Sequence, residues 1–171
     1  MLVAFWMVQR LTREINDLQR QVMEKTNRLS NHQKYASRLG GSTVLGLNNI
    51  AGLSPELLPR AAMFAQYSDQ ASSISAMQNL HMMKMMGRVP ITGNPMMQMQ
   101  IEFSAFNQFK QEALKALKQQ EITQMNEVEK EIQLEINSLE MKLKMKEKQL
   151  ENYKELANKG AESMAPTFGL R

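Results

Sequence analysis

The fold is decided by residues 132–153, IQLEINSLEMKLKMKEKQLENY, within a helical pattern that runs from Phe103 to Ala157 without Pro or Gly. Apolar side chains recur there at steps of three and four, which is the heptad spacing of a coiled coil. One seam position holds Ile136, Leu143 and Leu150, and the other holds Leu139, Lys146 and Tyr153. A helix of this length would extend roughly 80 Å, too far for a compact domain of this size. It therefore needs a partner helix, from this chain or from another copy.

A second heptad pattern near the start of the chain supplies a candidate partner. Its seam positions hold Val8, Ile15, Val22, Leu29 and Ala36 on one side and Leu11, Leu18, Lys25, His32 and Leu39 on the other. Residues 3–39 carry seven Lys or Arg against three acids, whereas residues 121–140 carry six Glu and one Lys. Antiparallel pairing would bring these unlike charges together, with the apolar seams supplying most of the energy. We therefore predict an all-α fold built on a long antiparallel coiled-coil hairpin.

Helix-breaking residues divide the chain. Gly40 and Gly41 end the first helix, and the Pro and Gly residues of 87–95 form a second break. Between them, Ser54-Pro55-Glu56 predicts a helix start, and apolar spacing predicts a helix over 60–86. We predict one domain in four parts: 1–39, a heptad helix; 40–102, short helices and Gly/Pro/Met-rich loops, with a candidate extended piece at 43–47; 103–160, the long heptad helix; and 161–171, a tail.

The composition argues against catalysis. Among 171 residues there is no Cys, which removes disulfides and thiolate metal sites together. The two histidines, His32 and His81, are far apart, and no Ser-His-Asp order, phosphate-binding loop or metal-ligand spacing can be assembled. We predict that the chain is not an enzyme and uses no cofactor and no small-molecule substrate.

Methionine is unusually frequent, at 16 residues, and clusters between Met77 and Met99. The segment His81-Met82-Met83-Lys84-Met85-Met86 could supply soft ligands to Cu(I). On a helix, however, Met82 shares a face with Met86 while Met83 points elsewhere. We favour the other interpretation, in which these flexible side chains adapt to neighbouring apolar surfaces, and we predict no metal site.

The first residues form an apolar cluster, LVAFWM at 2–7, followed by Arg10 and Arg13. Such a segment is either buried among identical subunits or lies in a membrane interface with Trp6 at headgroup level. No basic leader with a cleavage site and no spanning apolar stretch is recognisable, so we predict neither a signal peptide nor a transmembrane helix. The net charge of +4 and the arginines of the first helix would permit nucleic-acid binding without favouring it.

Two heptad helices flank a middle segment that is rich in Gly, Ser and Met. This arrangement resembles that of flagellins and of helical filament subunits exported by type III-like systems. The resemblance rests on Val8, Leu11, Ile15, Leu18 and Val22 in front, on Ile132, Ile136, Leu139, Leu143 and Leu150 behind, and on the closing Phe168-Gly169-Leu170-Arg171. It implies that the terminal helices pair as a coiled coil and stack along a tube, while the middle faces outward. An extracellular or cell-surface filament is the corresponding location.

The functional prediction is a structural subunit that associates with itself into a helical filament or tube. Apolar residues off the main seam, Leu134, Met141, Met145 and Leu156, point beyond a closed hairpin. The residues expected to make the packing and assembly contacts are Leu2, Phe5, Trp6, Val8, Leu11, Ile15, Leu18, Val22, Leu29, Ile132, Ile136, Leu139, Leu143, Leu150, Phe168 and Leu170. Two alternatives remain open: a coiled-coil adaptor that binds a membrane surface or a partner, and a coat protein that packages nucleic acid in a filamentous virus.

Overall fold

A computed structural model describes residues 2–41 and 52–164 of the chain, with side chains for 3–41 and 52–160. It contains three helices: α1, Leu2–Gly40; α2, Leu58–Met85; and α3, Pro95–Met164. No strand occurs within these described ranges. The all-α class predicted from the heptad patterns is therefore confirmed.

A turn occupies the place of the short helix predicted to start at Ser54, and α2 begins at Leu58, two residues before the predicted residue 60. Ser54-Pro55-Glu56 forms a turn, in which the Ser54 carbonyl accepts the amide protons of Leu57 and Leu58 at 2.9 and 3.2 Å. The helix begins only at Leu58, and its N-cap residue Leu57 makes no side-chain capping bond. A helix start at Ser54 was wrong because a Ser-Pro-Glu sequence serves a turn as well as a cap. Pro59 occupies the first turn of α2, where its missing amide proton costs nothing.

The end of α2 follows the predicted break. Gly87 has φ of +68°, a left-handed conformation that favours glycine. The amide of Gly87 donates to the Lys84 carbonyl at 3.1 Å, and the amide of Arg88 donates to the Met83 carbonyl at 3.0 Å. These two bonds form a Schellman motif, which satisfies the last carbonyls of the helix and turns the chain away.

The long helix α3 begins at Pro95, ahead of the predicted Phe103. Asn94 is its cap, since the side-chain oxygen accepts the Met96 amide at 3.0 Å and Pro95 takes the first helical position. The helix continues through Gly160 to Met164. The predicted contact residues Phe168 and Leu170 lie outside the described residues, as does the candidate extended piece at 43–47.

The chain divides into two compact units. The central unit, residues 31–129, contains the end of α1, all of α2 and the first half of α3. Its core consists of side chains from all three helices and from the turn before α2: Tyr35, Leu39, Leu53, Leu57, Ala61 and Met125, with Ala36, Phe64, Ile122 and Val128 packed around them. The turn at 53–57 therefore contributes directly to the core.

The terminal unit contains α1 up to Ser30 and α3 from Lys130 onward. Among its described side chains, the buried ones are Leu11 and Ile15 from α1 and Ile132 and Ile136 from α3. All four occupy predicted heptad seam positions, whereas Leu134 and Met141, off the seam, are more than 60% exposed. The heptad period thus separates the inner and outer faces of both helices in this unit.

Candidate interaction surface

The inward face of α2 is made of small side chains. Ala61, Ser68, Ser72 and Ala76 are its buried residues, and they follow one another at steps of seven, four and four. The Ser68 and Ser72 hydroxyls donate to carbonyls of their own helix, those of Ala65 and Asp69, at 3.2 and 3.0 Å. Small side chains with their polar atoms satisfied locally allow a helix backbone to approach its neighbours closely. Close packing in the central unit therefore uses the least hydrophobic face of α2.

The charged side chains of α2 are all used in ion pairs with α3. The helix has only three, and they pair as follows: Arg60 with Glu121 at 2.6 Å, Asp69 with Lys110 at 2.9 Å, and Lys84 with Glu102. Rising residue numbers in α2 meet falling numbers in α3, so the two helices run in opposite directions. The rest of the α2 surface consists of apolar and uncharged polar side chains.

The outward face of α2 carries most of its exposed large apolar side chains, while Phe64 packs against the core. We define the α2 stripe as Met63, Tyr67, Ile74, Met77 and Met85, all between 58% and 78% exposed. At 100° per residue they lie within about 40° of one line along the helix, opposite the buried Ser72. The stripe extends over roughly 33 Å at 1.5 Å per residue. The buried side chains of α2 are thus all Ala or Ser, while the five large side chains of the stripe are more than half exposed.

The α2 stripe is as large as the largest apolar patches of monomeric proteins, which are often functional. A large side chain has on the order of 200 Å² of surface, so five of them at more than half exposure present roughly 500 Å². A patch of that size lies at the upper end of what monomeric proteins expose. A nearly uncharged apolar stripe of this kind is typical of a surface that another apolar surface covers.

The central unit has a second exposed apolar patch at the start of α3. Met96, Met99 and Phe103 share one helical face and are 65% to 73% exposed. We call these three residues the α3 patch. Both surfaces are rich in methionine, whose flexible thioether side chain adapts to irregular partners.

A polar cluster joins the three helices of the central unit. The Tyr35 hydroxyl donates to the Glu121 carboxylate at 3.3 Å, and Arg60 donates to the same carboxylate at 2.6 Å and to the Gln124 side chain at 3.2 Å. Burial raises the pKa of the Tyr35 phenol well above its ordinary value, and the Glu121 charge raises it further. The hydrogen bond to Glu121 likewise raises the pKa of Arg60. With the phenol kept protonated, this cluster is suited to holding helices together.

Two ion pairs connect the helices of the terminal unit. Lys146 pairs with Glu14 at 2.7 Å, and Lys25 pairs with Glu135 at 2.6 Å. Hydrogen bonds from Lys146 and then from Arg10 lower the pKa of Glu14, and the hydrogen bond from Lys25 lowers the pKa of Glu135. Both lysines occupy heptad seam positions, and each extends to a glutamate on the opposite helix.

The residues expected to make packing contacts fall into three groups. Leu11, Ile15, Ile132 and Ile136 are buried, and the remaining described seam residues are partly buried: Val8, Leu18, Val22, Leu29, Leu139, Leu143 and Leu150. Phe5 and Trp6 are more than half exposed, with the Arg10 guanidinium 5.6 Å from the Trp6 ring. The side chain of Leu2 lies outside the described residues.

Sequence reasoning did not find the α2 stripe. The periodic residues Met63, Tyr67, Ile74 and Met77 predict a helix, but periodicity does not say which face is inward. The missing signal was the spacing of Ala61, Ser68, Ser72 and Ala76, which marks a face of small residues. The rule that large apolar residues lie inside would have assigned the wrong face to the core.

Within the described ranges, no group of three or more His, Asp or Glu residues is arranged to hold a metal ion, and no helix is long and apolar enough to cross a membrane. Comparisons of the chain with protein-family models, with curated proteins and with solved structures found no match. The resemblance to flagellins stays a prediction from the sequence.

Proposed function

We propose that the chain is a structural subunit that associates with copies of itself through the α2 stripe. The observation that carries this proposal is that α2 exposes five large apolar side chains along one face while its three charged residues form ion pairs with α3. In a two-fold contact between identical surfaces, each residue meets a different residue of the other copy, except on the symmetry axis. A stripe of uncharged side chains therefore buries no charge without a partner in any register.

Assembly beyond a dimer needs a second surface. One self-complementary contact closes at two copies, whereas two different contacts on each subunit allow the assembly to propagate. The α3 patch, Met96, Met99 and Phe103, offers such a second surface, and Leu134, Met141 and Met145 on the terminal unit offer another. These exposed apolar groups support a polymer of the kind expected from the sequence, a filament or tube.

Within each subunit, we propose that the terminal helices form an antiparallel coiled-coil hairpin. The supporting observations are the pairs Glu14 with Lys146 and Lys25 with Glu135, in which α1 numbers rise while α3 numbers fall. The burial of Leu11, Ile15, Ile132 and Ile136 at heptad positions supports the same arrangement.

The test is a single charge placed on the α2 stripe. Ile74→Glu puts a carboxylate at the centre of the stripe, where self-association would have to bury it without a partner. The matched control is Ala62→Glu, an exposed position on the flank of the same helix. Sedimentation velocity and negative-stain microscopy over a range of concentrations should find oligomers or filaments for the wild type and the control, and monomers for Ile74→Glu. A wild-type chain that stays monomeric at high concentration contradicts the proposal.

The exposed N-terminal end of α1 favours a second candidate function, attachment to a membrane surface. Val3, Phe5 and Trp6 are 57% to 74% exposed, and Arg10 lies against Trp6. Exposed aromatic and apolar side chains next to a cation suit the headgroup region of a bilayer. Flotation with anionic vesicles, lost on Phe5→Ser/Trp6→Ser and retained in Ile74→Glu, would support this function and separate it from self-association.

A further inference from the structure

The two helices of the terminal unit contain similar segments, identical at six of 19 aligned positions. Residues 11–29 of α1 read LTREINDLQRQVMEKTNRL, and residues 132–150 of α3 read IQLEINSLEMKLKMKEKQL. Aligned with a constant offset of 121, they are identical at Glu14/Glu135, Ile15/Ile136, Asn16/Asn137, Leu18/Leu139, Lys25/Lys146 and Leu29/Leu150. We call these two segments the paired repeats.

Equivalent apolar seam residues of the paired repeats fall in the same burial class. The buried residues in the described part of the terminal unit form two equivalent pairs, Leu11 with Ile132 and Ile15 with Ile136. The later seam positions of both repeats are partly buried, at Leu18 and Leu139, Val22 and Leu143, and Leu29 and Leu150. The similarity therefore extends from the sequence to the packing, with each helix presenting the same face to the other.

The ion pairs between the paired repeats are reciprocal. Glu14 of the first repeat binds Lys146 of the second, and Glu135 of the second binds Lys25 of the first, at distances that differ by only 0.1 Å (2.7 and 2.6 Å). The lysines are equivalent positions, and so are the glutamates. In an arrangement with opposed helix directions, exchanging the two repeats leaves the pattern of contacts unchanged, which is local two-fold symmetry.

We infer that each paired repeat is complementary to a second copy of itself, so that the α1–α3 contact of the terminal unit can be exchanged for contacts between chains. In an antiparallel pair of α3 segments from two copies, Glu135 of each would meet Lys146 of the other. In a pair of α1 segments, Glu14 of each would meet Lys25 of the other. The apolar seam residues occupy the same positions in either pairing. The partner of this surface is a second copy of the chain.

This exchange provides a route to an open polymer. If α1 pairs with α1 of one neighbour and α3 pairs with α3 of another, each chain joins two others and the assembly does not close. The inference goes beyond the proposed function because it uses a different surface from the α2 stripe. It can be tested with the stripe blocked.

The test exchanges the charges of one repeat only, in the Ile74→Glu background. Glu135→Lys/Lys146→Glu places a new lysine beside Lys25 and a new glutamate beside Glu14. Both ion pairs within a chain then become repulsive contacts between like charges. Between two altered α3 segments the charges remain complementary. Reversing the first repeat as well, with Glu14→Lys/Lys25→Glu, restores complementarity in every pairing. The control Glu131→Lys/Lys144→Glu makes the same exchange at two exposed positions away from the seam.

The readout is the mass in solution, measured by sedimentation equilibrium over a range of concentrations. We expect the variant with one reversed repeat to rise from 19.6 kDa to at least about twice that mass, while the fourfold reversal and the control return to the mass of the Ile74→Glu parent. Should the singly reversed variant stay at the parent mass and only lose thermal stability, the repeats recognise each other solely within one chain and the inference is overturned. Because the stripe is blocked throughout, neither result depends on self-association through α2.

Discussion

At the scale of single residues, Glu121 carries the polar contacts of the central unit. Its carboxylate, with a side chain only 11% exposed, accepts from both Tyr35 and Arg60. Glu121→Ala leaves the fully buried Tyr35 hydroxyl and the Arg60 guanidinium without that partner, so we expect a loss of about 2–3 kcal/mol in the free energy of unfolding. Tyr35→Phe keeps the ring and removes one long bond, so it should cost about 1 kcal/mol or less. Urea titration measures both, and exposed Glu127→Ala is the control. Equal losses for Glu121→Ala and Glu127→Ala would contradict this role.

The glutamates of the terminal unit make its stability depend on pH. Lys146 and Arg10 lower the pKa of Glu14, and Lys25 with nearby Arg28 lowers the pKa of Glu135. A carboxylate with a lowered pKa stabilises the folded state above its ordinary value of 4.5, and that contribution is lost as the pH falls through the lowered value. We therefore expect the thermal midpoint to fall between about pH 5 and pH 3. Lys25→Met/Lys146→Met should flatten that part of the profile. An unchanged slope in the double variant would mean that these pairs contribute nothing.

At the scale of elements, α2 should tolerate a polar residue at the apolar position Ile74 better than an apolar residue at the polar position Ser72. Ser72 is fully buried on the small-residue face, so Ser72→Leu forces extra volume between closely packed helices and should cost about 1–3 kcal/mol. Ile74, two residues later, is 58% exposed, and Ile74→Gln should change stability by no more than about 0.5 kcal/mol. Thermal denaturation at a concentration where the protein is monomeric compares the two. If Ile74→Gln is the more damaging change, the outward orientation of the stripe is wrong.

The same helix indicates how far the sequence determines the structure. Heptad spacing identifies the buried seams of α1 and α3, because a helix that contacts one other helix buries the side chains that recur at the heptad period. The buried residues Leu11, Ile15, Ile132 and Ile136 follow that period. The period of α2 was equally visible, but a helix with two usable faces needs tertiary information to decide between them. The start of α3 is also encoded locally. Asn94-Pro95 is a helix cap followed by a first-turn proline, and this pair marks the start of the helix. The core residue Leu53 lies in a turn, where no periodicity could identify it.

At the scale of the whole molecule, the oxidation rates of the methionines can show which surfaces are covered in an assembly. Met63, Met77 and Met85 of the α2 stripe are 64% to 78% exposed, Met23 on α1 is 64% exposed, and Met125 in the core of the central unit is fully buried. Peroxide converts accessible methionine to the sulfoxide, so oxidation rates follow exposure. In the monomeric state we expect the four exposed residues to react at similar rates and Met125 to react slowly.

Assembly through the α2 stripe should change that order selectively. Oxidation of Met63, Met77 and Met85 should slow by about tenfold or more in the assembled protein, because a packed contact excludes the oxidant, while Met23 should keep its rate. Peptide mass spectrometry after timed exposure to peroxide measures each site, and Ile74→Glu at the same concentration gives the unassembled reference. Prior oxidation of the stripe should also prevent assembly, since a sulfoxide places a strong dipole where an apolar contact would form. Slowing at Met23 together with full reactivity of the stripe would move the interface to the terminal unit and contradict the proposed contact through α2.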